Sequence, residues 1–174
     1  MLKQFTLFAD YNQLMNQRLF SSAHHLSDNE LHKDCQVFFK SMMGTLNHIM
    51  VGDIIWLKRF SIHSSSQKTL TYISNLEKPK SLDAILYNDL GSLEAEREKI
   101  DEIIIQWISS LSETDIEECI SYKNMTGEAF TQKYSSLISH LFLHQVHHRG
   151  QATALLSQYG IDFGETDLIE IINE

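Results

Sequence analysis

Apolar residues recur with helical spacing along four long stretches of the chain. This pattern predicts α-helices over residues 2–26, 33–62, 81–110 and 134–159. The third of these has a charged side that suits solvent, in its LEAEREKIDE segment, whereas the fourth is apolar on nearly all sides. A helix of that kind is expected at the centre of a bundle or at a dimer interface. The four stretches together predict an all-α four-helix bundle.

The segments between the predicted helices have the composition of turns and loops. Ser27 and Glu30 are spaced as a capping box, which marks the start of a helical turn. The polar, serine-rich stretch SIHSSSQKTLTYISNLEKPKS predicts a long connection. The segment ECISYKNMTGEAFTQKY, centred on Asn124–Gly127, predicts a small hairpin or an ordered loop before the last long helix. Gly160 fits the position after that helix, and the tail is expected to add one short helix.

The fourth predicted helix carries histidines on the side that faces the core. At about 100° per residue, His144 and His148 lie about 40° apart, on the face that also holds Leu137 and Leu155. Two imidazoles one turn apart can bind the same metal ion. The alternative is a buried pair of neutral histidines that are hydrogen-bonded to the protein. A shared cation would satisfy both rings at once.

The second predicted helix offers a third histidine on its inward face. Gly44 lies one turn before His48, and Gly52 lies one turn after it. Because glycine costs a helix about 1 kcal/mol relative to alanine, this pair predicts that space is needed beside His48. Either a closely packed helix or a bound ligand would need that space, and the spacing does not choose between them.

Several polar residues are candidates for the wall of a metal cavity. Asn12 and Asn16 interrupt an otherwise apolar, core-facing stripe of the first helix, and buried amides need several hydrogen bonds. They either tie this helix to a neighbour or line the cavity, and the second interpretation is slightly favoured. His140 and Gln151 lie on the histidine face of the fourth helix, where they could line the pocket or support the metal ligands.

Three other polar residues near the histidines are expected to have different roles. At about 100° per residue, Asp53 lies about 140° from His48, and Arg149 lies about 140° from His144. Both are therefore expected to form structural ion pairs or contacts at the end of the bundle. His147 could reach a metal ion, but it is less well placed than His148.

Three segments of the chain resemble the DinB-like family. They are the opening YNQLMNQRL, the segment NHIMVGDIIWLKRF around His48, and HLFLHQVHHRGQATALLSQYG around His144 and His148. The resemblance covers essentially the whole chain and implies one DinB/YfiT-like domain over residues 1–174. It also implies that these three histidines are the metal ligands and that the protein forms homodimers. Known members include metal-dependent thiol transferases and a maleylpyruvate isomerase, while many others have no assigned reaction.

Three histidine ligands would leave a coordination position open, as in catalytic zinc sites. One divalent ion is therefore expected, with zinc or nickel favoured and iron as the alternative. The expected function is metal-dependent transfer of a low-molecular-weight thiol, or related lyase, isomerase or hydrolase chemistry, on a small-molecule substrate. A non-catalytic metal- or ligand-binding bundle and a purely structural dimer are the alternatives, because the sequence identifies no clear general acid or base.

Charge and cysteine content narrow the choice of partners and compartment. The net charge is −9, from 14 basic and 23 acidic residues, which argues against binding to nucleic acids or to anionic membranes. No apolar run is long enough to span a bilayer, and the N-terminus lacks a signal-peptide cleavage pattern. Cys35 and Cys119 are isolated in the sequence. They are expected to be reduced thiols of a cytoplasmic protein.

Overall fold

The computed structural model describes residues 1–172. Within them, the bundle is built from four long helices, which are α1 (Leu2–Ala23), α3 (Met42–Phe60), α5 (Leu90–Ser110) and α7 (Tyr134–Gln158). Helix α1 packs against α5 and α7, and α3 packs against α7 and α5. The predicted all-α bundle is therefore confirmed. None of the helices within this range combines the length and the apolar character needed to cross a membrane.

Shorter elements connect the long helices. The capping box of Ser27 and Glu30 is confirmed, and it opens the first of three five-residue helices, α2 (Asp28–His32), α4 (Thr71–Asn75) and α6 (Glu113–Glu117). The predicted hairpin is an antiparallel pair of strands, β1 (Cys119–Lys123) and β2 (Ala129–Lys133). The tail forms a short 3-10 helix, Leu168–Ile171. The last two residues of the chain, 173 and 174, lie outside the described range.

The second long helix begins at Met42 and not at residue 33, so the prediction was wrong at this end. Ser41 caps the helix by accepting a hydrogen bond from a backbone N–H of the first turn. Before it, Gln36 and Lys40 have φ angles of 59° and 67°, which belong to the left-handed region and break a helix. Residues 33–41 are therefore a loop.

The third long helix also begins later than predicted, at Leu90 and not at residue 81. Asp89 caps its first turn through its carboxylate. The preceding segment, residues 81–89, is bound to Asn47 of α3, whose side-chain oxygen accepts hydrogen bonds from two backbone N–H groups of the segment. A side chain from another helix thus satisfies backbone groups that an extended α5 would otherwise pair internally.

A polar network fills the centre of the bundle and contacts all four long helices. Arg97 forms ion pairs with Asp53 and, at 3.0 Å, with Asp101. Burial raises the pKa of Asp53 to about 6, although the charge of Arg97 opposes that shift. Every member is at most 5% exposed, and the members are Asn12, Asn16, Asp53, Arg97, Asp101, Gln145 and Arg149. The ion pair expected for Asp53 is confirmed. Arg149 instead donates hydrogen bonds to neutral amides of the network, including Asn12 and Asn16.

The two asparagines of α1 belong to this network. The amide nitrogens of Asn12 and Asn16 donate to Asp101 at 3.1 and 3.0 Å. Their amide oxygens both accept from the guanidinium of Arg149. The hydrogen bonds correspond to the first interpretation, in which the pair ties α1 to its neighbours. The slightly favoured interpretation, in which the pair lines the metal cavity, is thereby corrected.

Removing the central cation of the network should destabilise the fold. We expect Arg97→Met to lower the free energy of unfolding by about 3 to 5 kcal/mol, because Asp53 and Asp101 would remain buried without their ion-pair partner. Chemical denaturation measures this difference. The control is Lys99→Met, an exposed position of the same helix, which should change stability by about 1 kcal/mol or less. Equal effects of the two substitutions would contradict a central role for the network.

Candidate metal centre

Three histidine side chains from two helices converge where α3 packs against α7. The Nε2 atom of His48, on α3, lies 3.1 Å from Nε2 of His148 and 3.2 Å from Nε2 of His144, both on α7. One ring nitrogen from each residue lies within 4.8 Å of the others, which is the spacing of a possible metal site. The structure therefore brings the distant third histidine to the i, i+4 pair.

Hydrogen bonds to the outer ring nitrogens fix the tautomers of two of these histidines. Nδ1 of His48 donates to the carbonyl oxygen of Leu82 at 2.7 Å, and Nδ1 of His148 donates to the side-chain oxygen of Gln151 at 2.8 Å. A neutral ring with its proton on Nδ1 carries a lone pair on Nε2. Two such lone pairs therefore face each other across 3.1 Å, and a cation between them would relieve their repulsion.

The protonation states suit a metal as well. Burial lowers the pKa of His48 and of His148, so both are neutral at pH 7. For His144, burial and the neighbouring imidazoles lower the pKa to about 3. Its Nδ1 is buried and has no hydrogen-bond partner among the described residues. Nitrogens bound tetrahedrally to zinc lie about 3.3 Å apart, so this donor set fits a divalent ion.

The two glycines that flank His48 make room for different groups. A Cβ atom on Gly52 would lie 2.4 Å from Cε1 of His144, so this glycine gives a ligand ring its space. A Cβ atom on Gly44 would lie 2.0 Å from the carbonyl oxygen of Phe39, so this one admits the loop before α3. Close packing therefore explains both positions, and only Gly52 bears directly on the metal site.

Phe39 is a member of the site that the sequence did not reveal. Its ring stacks on His48 with centroids 3.7 Å apart and meets the ring of His148 edge-on at 5.5 Å. The aromatic ring therefore covers one side of the cluster. It was missed because the predicted helix ran through it. The capping pattern of Ser41 ahead of the apolar run was the signal that could have placed it in a loop.

A cavity of about 450 Å³ opens beside the histidines. Helix α3 contributes Trp56 and Arg59 to its wall, α7 contributes His140, and the turn of the hairpin contributes Asn124. His140 thus lies where it was expected, and burial lowers its pKa, so it is neutral at pH 7. No acidic side chain of the described part of the chain lines this cavity.

Comparison with known proteins agrees with this geometry. The sequence profile of the DinB family matches residues 1–173. The chain belongs to the DinB family. Protein DinB of Bacillus subtilis (strain 168) is 25% identical over 159 residues, which are 91% of this chain and 87% of that protein. The resemblance that the three sequence segments indicated is therefore confirmed over nearly the whole chain.

Two other histidines in this DinB-family chain, His147 and His63, are less suited to a metal. His147 is exposed, and its Nε2 contacts the amide of Gln151 at 3.3 Å, so it is not one of the three histidines whose ring nitrogens converge. His63, Asp115 and Glu118 also lie close together. There, however, His63 is already paired with Glu118 at 3.0 Å, and Asp115 is engaged in the cap of α6. The three-histidine cluster is the better candidate for a metal centre.

A methyl group at Gly52 should damage the metal centre without removing a ligand. We expect Gly52→Ala to weaken metal binding by about tenfold or more, because the ring of His144 must move away from the new Cβ atom. Competition with a coloured chelator measures the affinity. Gly150→Ala, also on a helix but with nothing within 4 Å of the added atom, is the matched control and should bind normally. Unchanged affinity in both variants would refute the role given to Gly52.

Proposed function

We propose that this DinB-family protein is a metal-dependent enzyme that transfers a low-molecular-weight thiol to a small-molecule substrate. The observation that carries the proposal is the convergence of three neutral imidazole nitrogens beside an open cavity. Three protein ligands leave a coordination position for an exogenous group, as in catalytic zinc sites. Imidazole ligands favour zinc or nickel as the resident ion, with iron as the alternative.

The side chains around the cluster suit thiol chemistry. A bound divalent ion lowers the pKa of a thiol ligand, so that the thiolate forms near neutral pH. The hydrogen bonds from His48 to Leu82 and from His148 to Gln151 hold the ligand rings in place. Phe39 shields one side of them from water. His140, neutral and on the cavity wall, can accept the proton that the thiol loses.

The composition of the cavity wall favours thiol transfer over hydrolysis. Metal-dependent hydrolases commonly use a nearby carboxylate as the base that activates water. Across residues 1–172, no acidic side chain lines the cavity. The same observation fits a second candidate, a non-catalytic protein that binds a metal or ligand, because a binder needs no carboxylate beside the ion.

Loss of any one ligand should abolish metal binding. We expect one ion per chain in the wild-type protein and none in His48→Ala, His144→Ala or His148→Ala, because two imidazoles hold an ion far more weakly than three. Elemental analysis after dialysis gives the stoichiometry, and circular dichroism checks that helix content is retained. His147→Ala removes an exposed neighbouring histidine and should keep the full complement. Full metal content in all three ligand variants would refute the site.

An assay of turnover distinguishes the proposed enzyme from a non-catalytic metal-binding protein. The metal-loaded protein should accelerate the transfer of small thiols to an electrophile such as a chlorodinitrobenzene, and chelation of the ion should remove that rate. His144→Ala should be inactive in the same assay. A protein that binds one ion and accelerates none of a broad series of thiols and electrophiles would support the binding alternative instead.

We also propose that the protein forms a homodimer through the outer face of α7. Leu143 and Val146 on this face are 67% and 47% exposed. They border an apolar cavity of about 560 Å³ whose wall includes Phe5, Phe8 and Phe142. A second copy, related by a two-fold axis, would cover this surface with its own identical patch. The family resemblance supports the same assembly.

The dimer has a direct test. Light scattering at micromolar concentration should give twice the mass of one chain for the wild-type protein. Leu143→Glu should give a single-chain mass, because two-fold symmetry would bury the added charge in both copies. Ile62→Glu changes an equally exposed apolar residue, 66% exposed, outside this face and should remain dimeric. A monomeric wild-type protein would contradict the assembly.

The free cysteines bear on the compartment. Cys35 and Cys119 are both free thiols in the structure. Unpaired thiols are typical of proteins kept in a reducing compartment. We therefore propose that the protein acts in the cytoplasm, where low-molecular-weight thiols are also kept reduced.

A further inference from the structure

Arg59 places a partly buried positive charge on the wall of the metal cavity. Its guanidinium carbon lies 4.3 Å from the ring centroid of Trp56 and 4.8 Å from that of Tyr122, so two aromatic faces hold it. No carboxylate within residues 1–172 forms an ion pair with it. The N–H donors of this half-buried guanidinium are therefore not occupied by a carboxylate of the described chain, and an anion in the cavity can form charge-assisted hydrogen bonds with them.

The surroundings of Arg59 are basic in a protein that is acidic as a whole. Ile55 and Arg59 belong both to the metal cavity and to a second cavity of about 220 Å³, so the two cavities adjoin. The second cavity is also lined by Lys78 and Lys123, which are exposed. No acidic side chain of the described chain lines either cavity, although the net charge is −9. We call this continuous surface the basic groove.

The basic groove and the metal centre share side chains. His48 and His144 line the metal cavity together with Arg59. The ring of Trp56, which supports the guanidinium, also contacts the ring of His140 at 4.9 Å. A small molecule in this cavity would therefore reach both the histidine cluster and the guanidinium.

We propose that Arg59 binds an oxyanion, a carboxylate or a phosphate, on the small molecule whose other end meets the metal. The inference rests on the proposed metal-dependent function and gives its substrate a chemical class, an anionic small molecule. A guanidinium presents paired N–H donors that match the two oxygens of such a group, and the aromatic faces hold it ready for that contact. Lys78 and Lys123 raise the local anion concentration without fixing a geometry.

Binding to the metal-free protein tests Arg59 independently of the metal. The probes are succinate, inorganic phosphate and neutral succinamide. Their binding is measured by the change in fluorescence of Trp56, since the other tryptophan, Trp107, is fully buried. We expect saturable binding of at least one anion and none of succinamide. The comparison of succinate with phosphate decides which oxyanion the site prefers. Equal binding of succinate and succinamide would overturn the inference.

Substitutions at position 59 make this test specific. Arg59→Met keeps an unbranched apolar stem against Trp56 and Tyr122 and should weaken anion binding by about tenfold or more, which is the effect expected of a charge-assisted contact. Arg59→Lys should retain part of the affinity, because the charge remains and the paired donors are lost. Lys99→Met removes another cation that lies over an aromatic ring, that of Tyr72, and should bind normally. Wild-type affinity in Arg59→Met would overturn the assignment.

Binding of thiols to the zinc-loaded protein then distinguishes the role of Arg59 from the proposed metal-dependent function. We expect 3-mercaptopropionate to bind about tenfold more tightly than 2-mercaptoethanol, and Arg59→Met to abolish that preference while still binding one ion. A zinc-binding protein that shows no preference for the anionic thiol would overturn the role of Arg59 alone. A wild-type protein that binds no metal would overturn the proposed function, and the metal-free titrations would still decide the role of Arg59.

Discussion

The buried charges of Asp53 and Asp101 constrain the rest of the structure, because carboxylates in an apolar interior must be paired and hydrogen-bonded. Arg97 supplies the central cation, and both Arg97 and Gln145 donate to Asp53. These contacts require α3, α5 and α7 to meet at one relative rotation and at one axial position. A bundle held only by apolar side chains could slide or rotate with a much smaller loss. The network therefore defines which faces of α3 and α7 remain for other purposes.

The metal centre depends on this alignment through neighbouring positions in the sequence. Asp53 directly follows Gly52, and in α7 Gln145 and Arg149 directly follow His144 and His148. Since one residue is a rotation of about 100° on a helix, His144 and His148 point away from the network when Gln145 and Arg149 point into it, and they reach the histidine cluster. The pairing of Asp53 with Gln145 thus fixes how Gly52 and His144 meet. The same contacts that stabilise the core also position the ligands.

The sequence predicted the parts of the site that depend on local periodicity. The i, i+4 histidines and the glycine one turn after His48 lie on helix faces that can be assigned without knowing the neighbours. Phe39 and the carbonyl of Leu82 could not be found in this way. Both lie in segments predicted as helical, and these segments are held out of the helices by Ser41 and Asn47. The asparagines of α1 were misassigned for a similar reason, since their partners lie far away in the sequence.

The site divides its tasks between rigid and variable parts of the fold. The histidines lie on α3 and α7, and these two helices are held in place by packing against each other and against the rest of the bundle. Trp56 and His140 of the same helices also line the cavity, and the rest of its wall comes from the hairpin turn around Asn124, from the segment that holds Leu82 and from Arg59 in the last turn of α3. Loops tolerate substitution better than packed helices do. A bundle of this design can keep the three histidines and change the small molecule that it accepts by changing the loop segments and the end of α3, so the proposed substrate contacts lie at Arg59 and the hairpin turn.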